Sequence, residues 1–232
     1  MERAAPRGEP VSMHVHPAES APAFVAETTR LIDRVHGDGF LPDILVQSVA
    51  SLPRRDAVYE TDPRTNLPKR ILVSRRAVEP HLSTAHEIGH VLDHLALGKR
   101  GEYASEADHP TLRAWRGAVE HTPTVLGLRQ ALHSGRVTVL VSRRETRLPI
   151  QQKRAAYLLE PAELFARSYA QYVAQHHPEH QIAAELKHSR AASGTLDNPL
   201  AEHWDVVEFE SVAQALDDLF VRKLWMHAPE RD

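Results

Sequence analysis

Pro80-His81-Leu82-Ser83-Thr84-Ala85-His86-Glu87-Ile88-Gly89-His90-Val91-Leu92 carries two patterns on one helical period. Leu82, Ala85, Gly89, Leu92 and Ala96 form an apolar stripe, widened by Ile88, Val91 and Leu95. His86 and His90 stand one turn apart off the centre of that stripe, with Glu87 beside the first. Residues four apart rise only about 6 Å on a helix and share a face, so both imidazoles reach one tetrahedral ion. Glu87 is then placed to take a proton from a metal-activated water and pass it to a leaving amine. The segment predicts a core helix over residues 80–97 whose polar edge faces a cleft, with the chemistry of a zinc hydrolase. Pro80 suits its first turn, and Gly98 followed by Lys99 and Arg100 marks its end.

Upstream, Phe24, Val25, Thr28, Leu31, Ile32 and Val35 follow helical spacing until Gly37 and Gly39. Residues 44–49, 57–60 and 71–74 read as strands, the last two separated by the turn-rich stretch 62–68. Residues 1–21 lack any period and read as a mobile arm, which leaves 22–232 as one domain. Downstream, the polar stretch 102–134 reads as a surface insertion with helices near 111–120 and 124–133. A short strand at 137–141 precedes a charged loop. Pro161 opens a strong helix with Phe165, Ala166, Tyr169, Tyr172 and Val173 on one face, and a last helix spans about 206–226. His176, His177 and His180 surround Pro178 and read as a solvated loop.

Composition narrows the partners and the ligands. The 232 residues, 42% hydrophobic and 25% charged, suffice for a real core. A net charge of −3 makes nucleic acid an unexpected partner and leaves a protein or peptide substrate as the expected one. No run of 18 apolar residues is present, and Met1 is followed by Glu2, Arg3, two alanines and Pro6, so neither a membrane span nor a secretion signal is visible. The expected setting is cytoplasmic, or delivery by a phage or toxin route. With no cysteine in the chain, His and carboxylates are the available zinc ligands.

A catalytic zinc needs three protein ligands. His94 lies eight residues from His86, about 12 Å along a straight helix, and reads as a surface residue. The pattern with a third histidine six residues after the second is excluded, because Ala96 stands there. A carboxylate from the helix after Pro161 remains. Glu163 at its third position is the leading candidate, with Glu160 competing and a solvated first-turn glutamate as the plain alternative. Asp93 is either an acceptor for the free N–H of a ligand histidine or an exposed aspartate.

His86-Glu87-Ile88-Gly89-His90-Val91-Leu92-Asp93 and Glu163-Leu164-Phe165-Ala166-Arg167, with Tyr169 following, together resemble gluzincin metallopeptidases. The likeness is to the catalytic domain of anthrax lethal factor and related phage and toxin zincins, and it covers about 20 residues. The resemblance implies His86, His90 and Glu163 as ligands of one Zn²⁺, Glu87 as general base, and an α+β zincin-like fold. That fold has a small mixed sheet over the motif helix and a mainly helical C-terminal half. It also implies that the strand at 71–74 lines the cleft and pairs with extended substrate. The family places a tyrosine seven residues before the glutamate ligand, where Ala156 stands here, and Tyr157 one residue later is our candidate for steadying the tetrahedral intermediate. A core-packing role for Tyr157 is the alternative.

The expected activity is zinc-dependent endopeptidase hydrolysis of protein substrates. Two other readings remain open. One is a regulatory peptidase of the ImmA/IrrE type that cuts a transcriptional repressor, although its usual Asn-x-Phe-Ala pattern is replaced here by Glu163-Leu164-Phe165-Ala166. The other is a non-catalytic module of a phage or toxin assembly in which zinc supplies folding energy.

Overall fold

The computed structural model describes residues 13–17, 22–36, 41–53, 55–97 and 102–221. It is an α+β structure. Strand β1 (Met13–Pro17) runs parallel to β2 (Leu41–Val49), with helix α1 (Ala23–His36) as the crossover that parallel neighbours require. The stretch read as an arm therefore contains a strand at 13–17. Gly37, Gly39 and residues 98–101 lie outside the described residues, and so do the helix ends expected there.

Strands β3 (Ala57–Thr61) and β4 (Pro68–Ser74) form a hairpin, and the sheet order is β1-β2-β4-β3. β2 pairs with β4 in parallel while β3 runs antiparallel, which gives a small mixed sheet with β3 at its edge. The turn is built by Asp62, whose Oδ1 accepts from the amides of Arg64 (2.9 Å) and Thr65 (3.0 Å). Ile44, Val46, Ile71 and Val73 point into the core from the two central strands.

Helix α2 (Pro80–Val91) lies against this sheet and is buried on most of its surface. Its cap residue Glu79 makes no side-chain cap, so the orphan amides of the first turn are satisfied from other elements. Asp56 accepts from Val78 and Glu79 (2.7 and 2.8 Å), and Glu185 accepts from Leu82 (2.8 Å). The α-helix does not reach residue 97. It widens into a π-turn over Leu92–Ala96, closed by Leu97 N–H to the Leu92 carbonyl at 3.0 Å. That wider turn brings Asp93 and His94 inward, and both are fully buried, contrary to the surface position expected for His94.

The stretch after α2 is part of the core. A short 3₁₀ turn (Pro110–Leu112) leads into α3 (Arg113–Glu120) and α4 (Pro123–Ser134). Leu112, Trp115, Val119 and Val125 are buried in the same cluster as the sheet and α2, so the expected surface insertion is not one. Its polar residues cover the outer faces, which misled a reading by composition. β5 (Arg136–Val141) pairs with β6 (Arg144–Pro149), where a charged loop was expected. Charges on the exposed face of a two-stranded ribbon look like a loop when the partner strand is unseen.

Helix α5 (Gln152–Leu158) then precedes α6 (Pro161–His176), α7 (Gln181–Ala192) and α8 (Glu210–Val221). The last helix begins at Glu210 rather than near 206, because Asp205 Oδ1 caps the amides of Val207 and Glu208 (2.8 and 2.9 Å) in a preceding turn. No described helix is long and apolar enough to cross a membrane.

α6 packs directly on α2, and Gly89 sets the distance. A Cβ at Gly89 would lie 2.9 Å from the Ala166 Cα and 3.2 Å from the Tyr169 Cβ, so backbone would have to move. Gly89→Ala is expected to destabilise the fold by about 1–3 kcal/mol and to displace α6, measured as a lower chemical-denaturation midpoint. An unchanged midpoint would contradict the close approach.

Beneath α6, the His36 ring is buried against Phe220 (centroids 4.3 Å), with Nε2 2.6 Å from the Tyr169 hydroxyl. Burial, with a smaller contribution from His176, pushes its pKa down to about 3. The unfolded chain takes up this proton near pH 6.5 and the folded chain does not, so the contribution is present above that pH and lost as pH falls. Stability should drop by about 1.4 kcal/mol per pH unit from this group between pH 6 and 4. A His36→Asn variant should show a flatter profile over that window, and a slope equal to wild type would refute the assignment.

Candidate metal centre

α2 and α6 cross so that His86 and His90 face Glu163 on the third residue of α6. His86 Nε2 lies 3.4 Å from Glu163 Oε2, and His90 Nε2 lies 3.3 Å from Glu163 Oε1. The imidazole rings stand 4.8 Å apart at 84°, so each offers a nitrogen to the same point from a different direction. One ligand atom from each of the three residues falls within 4.8 Å of the others. Glu160, the competing ligand in the sequence, is the exposed cap residue of α6 and is not in this group.

Electrostatics favour a cation here. Burial opposes the charged form of Glu163, but hydrogen bonding to His86 and His90 outweighs it and holds the carboxyl well below the usual carboxylate range. Burial also works against a charged His90, while Glu163, Glu87 and Asp93 more than offset it and raise its pKa. Two imidazoles and one ionised carboxylate, with no thiolate, form a donor set that suits a borderline divalent ion such as Zn²⁺.

Glu87 sits on the same edge, and its Oε2 accepts the Tyr59 amide of β3 at 2.7 Å. The edge strand thus fixes the carboxylate beside the histidines. These groups line an open cleft of about 870 Å³, whose walls include residues 55–59, Tyr103, Tyr157 and His203. The strand beside the cleft is β3 and not the segment 71–74 expected to line it. β4 is interior, flanked by β2 and β3, and its polar backbone is already paired on both sides.

Tyr157, at the end of α5, reaches the cleft with the Arg154 guanidinium 5.1 Å over its ring. Burial and the neighbouring Glu163 carboxylate push its hydroxyl pKa well up, so it stays protonated. Asp93 does not bond to a ligand histidine. Its carboxylate accepts from Ser105 N (2.8 Å) and Ser105 Oγ (2.5 Å), tying down the loop that carries Tyr103. His90 Nδ1 is buried with no hydrogen-bond partner among the described residues. His94 instead bonds the Tyr59 hydroxyl through Nδ1 (2.9 Å) and stacks on Tyr103 (4.6 Å).

His203 was missed by the sequence reading. It sits in an aperiodic loop held by α6, where Gln171 exchanges two hydrogen bonds with the Trp204 backbone and Arg167 donates to the Glu202 carbonyl. Burial, with Arg167 and His86 nearby, lowers its pKa to about 3 and keeps the ring neutral in the cleft wall. The only signal in the sequence was a His-Trp pair in a stretch with no period. No protein-family profile, curated protein or solved structure matches this chain.

Proposed function

We propose that this chain is a zinc-dependent endopeptidase with a zincin-like fold, holding one Zn²⁺ through His86, His90 and Glu163. The observation that carries the reading is the meeting of those three ligand atoms with Glu87 on the same cleft edge. When bound, the ion supplies Lewis acidity that activates water and polarises the scissile carbonyl. Three protein ligands leave one side open to the cleft, which favours catalysis over a closed structural site.

Glu87 takes the proton of the attacking water as its oxygen bonds to the carbonyl carbon. It then delivers that proton to the amide nitrogen as the C–N bond breaks. The Tyr59 amide holds Glu87 in place for both transfers. The protonated Tyr157 hydroxyl donates a hydrogen bond to the oxygen on which negative charge builds. An extended substrate pairs with the edge of β3, whose backbone recognition tolerates many sequences.

Incubation of the zinc-loaded chain with a proteome-derived peptide library, read by mass spectrometry, should yield new internal cleavage products that vanish with a chelator. A library left intact at full zinc occupancy would count against peptidase activity.

A further inference from the structure

A second group of metal-ligating side chains lies outside the cleft, where α1, α2 and α7 meet. Glu27 on α1, His81 in the first turn of α2 and His180 at the cap of α7 each bring a ligand atom within 4.8 Å of the others. Glu27 Oε1 lies 2.8 Å from His180 Nε2, and Oε2 lies 3.4 Å from His81 Nε2. We propose that this junction is a second site for a borderline divalent ion such as Zn²⁺, which ties the start of α2 to α1 and α7. The inference is independent of the function assigned to the cleft.

The His81 ring is held from behind by a second carboxylate. Glu185, almost fully buried, accepts the Leu82 amide through Oε2 and lies 2.7 Å from His81 Nδ1 through Oε1. That contact places a ring proton on Nδ1 and turns Nε2 toward the Glu27 carboxylate. The gap between Nε2 and the Glu27 carboxylate is closed by a proton on Nε2 or by a metal cation in its place. A carboxylate behind a histidine is also how metal-binding imidazoles are oriented. With both imidazoles deprotonated at Nε2 for ligation, Glu27 and Glu185 leave a charge of −2, which a divalent ion neutralises. Glu27 is half exposed, so an ion reaches the site from solvent.

His180 sets the affinity. Its Nδ1 accepts the Ile182 amide at 3.2 Å, and coordination through Nε2 moves the ring proton to Nδ1 and gives up that bond. His90 in the cleft gives up no such bond, so the junction should be the weaker of the two sites. The sequence reading of His180 as part of a solvated loop is thereby corrected, since it joins three helices.

The test is titration of the chelator-stripped full chain with ZnCl₂, followed by native mass spectrometry and thermal melting. Wild type should bind two ions, the second about tenfold or more weakly. Glu27→Ala should retain only the tighter ion, and Glu163→Ala only the weaker. Zinc should raise the melting temperature of Glu163→Ala but not of the Glu27→Ala/Glu163→Ala double variant. His180→Ala, which keeps Glu27, should lose the same ion as Glu27→Ala. One ion in wild type that Glu27→Ala keeps and Glu163→Ala loses would overturn the junction site alone. One ion with the opposite pattern would uphold the junction and overturn the cleft site.

Discussion

Glu163→Ala is expected to lower zinc affinity at the cleft by more than about 100-fold, the upper figure for losing a residue that merely supports a ligand. Peptide cleavage should fall to background with it. Glu163 is the only ligand of the three that does not come from α2, so it converts a two-point contact on one helix into a closed set. Its carboxylate also balances the charge of the ion, and both imidazoles lie within 3.4 Å of it. Removing it leaves two neutral nitrogens, a set that binds zinc poorly at neutral pH. Competition against a chelating dye measures this directly. Retention of wild-type affinity would show that another residue closes the site.

Glu87→Gln is expected to separate binding from turnover. Zinc occupancy at the cleft should remain at one, because Glu87 is not among the three ligands. The amide is close in shape to the carboxylate, and its oxygen can still accept the Tyr59 amide, so β3 and α2 keep their contact. What disappears is a group that gains and releases a proton. The loss should fall on kcat, by at least about 10² to 10⁴, with KM little changed. Hydrolysis at the wild-type rate would remove Glu87 from the role of base.

The sequence carried the site better than it carried the surroundings. His86, Glu87 and His90 were legible because helical spacing alone places them on one edge, and Glu163 because Pro161 and the apolar face after it fix where α6 begins. Their meeting depends on the α2–α6 crossing, whose close approach at Gly89 the apolar stripe alone did not reveal. Asp93 and His94 were misplaced for a single reason. A straight helix was assumed, whereas the π-turn over Leu92–Ala96 rotates both inward, where Ser105 and Tyr59 receive them. Local periodicity cannot register an inserted residue whose stabilising partners lie on another loop.

His203 and His180 failed for a different reason. Each is held by contacts with residues more than thirty positions away, Arg167 and Gln171 for the first loop and Glu27 for the second. Neither loop has a period of its own. The stretch 102–134 was misread by its charge, since Trp115 and Val119 bury one narrow face while the remainder stays polar. Edge strand β3 was recognised as a strand, but its place beside the cleft follows from pairing order, which no single segment encodes.

Anomalous diffraction at the zinc edge, from crystals of the zinc-loaded chain, locates the ion between α2 and α6. The expected result is a peak at the cleft about 2.0–2.2 Å from His86 Nε2, His90 Nε2 and a Glu163 carboxylate oxygen. A fully loaded chain with no peak between α2 and α6 would contradict it.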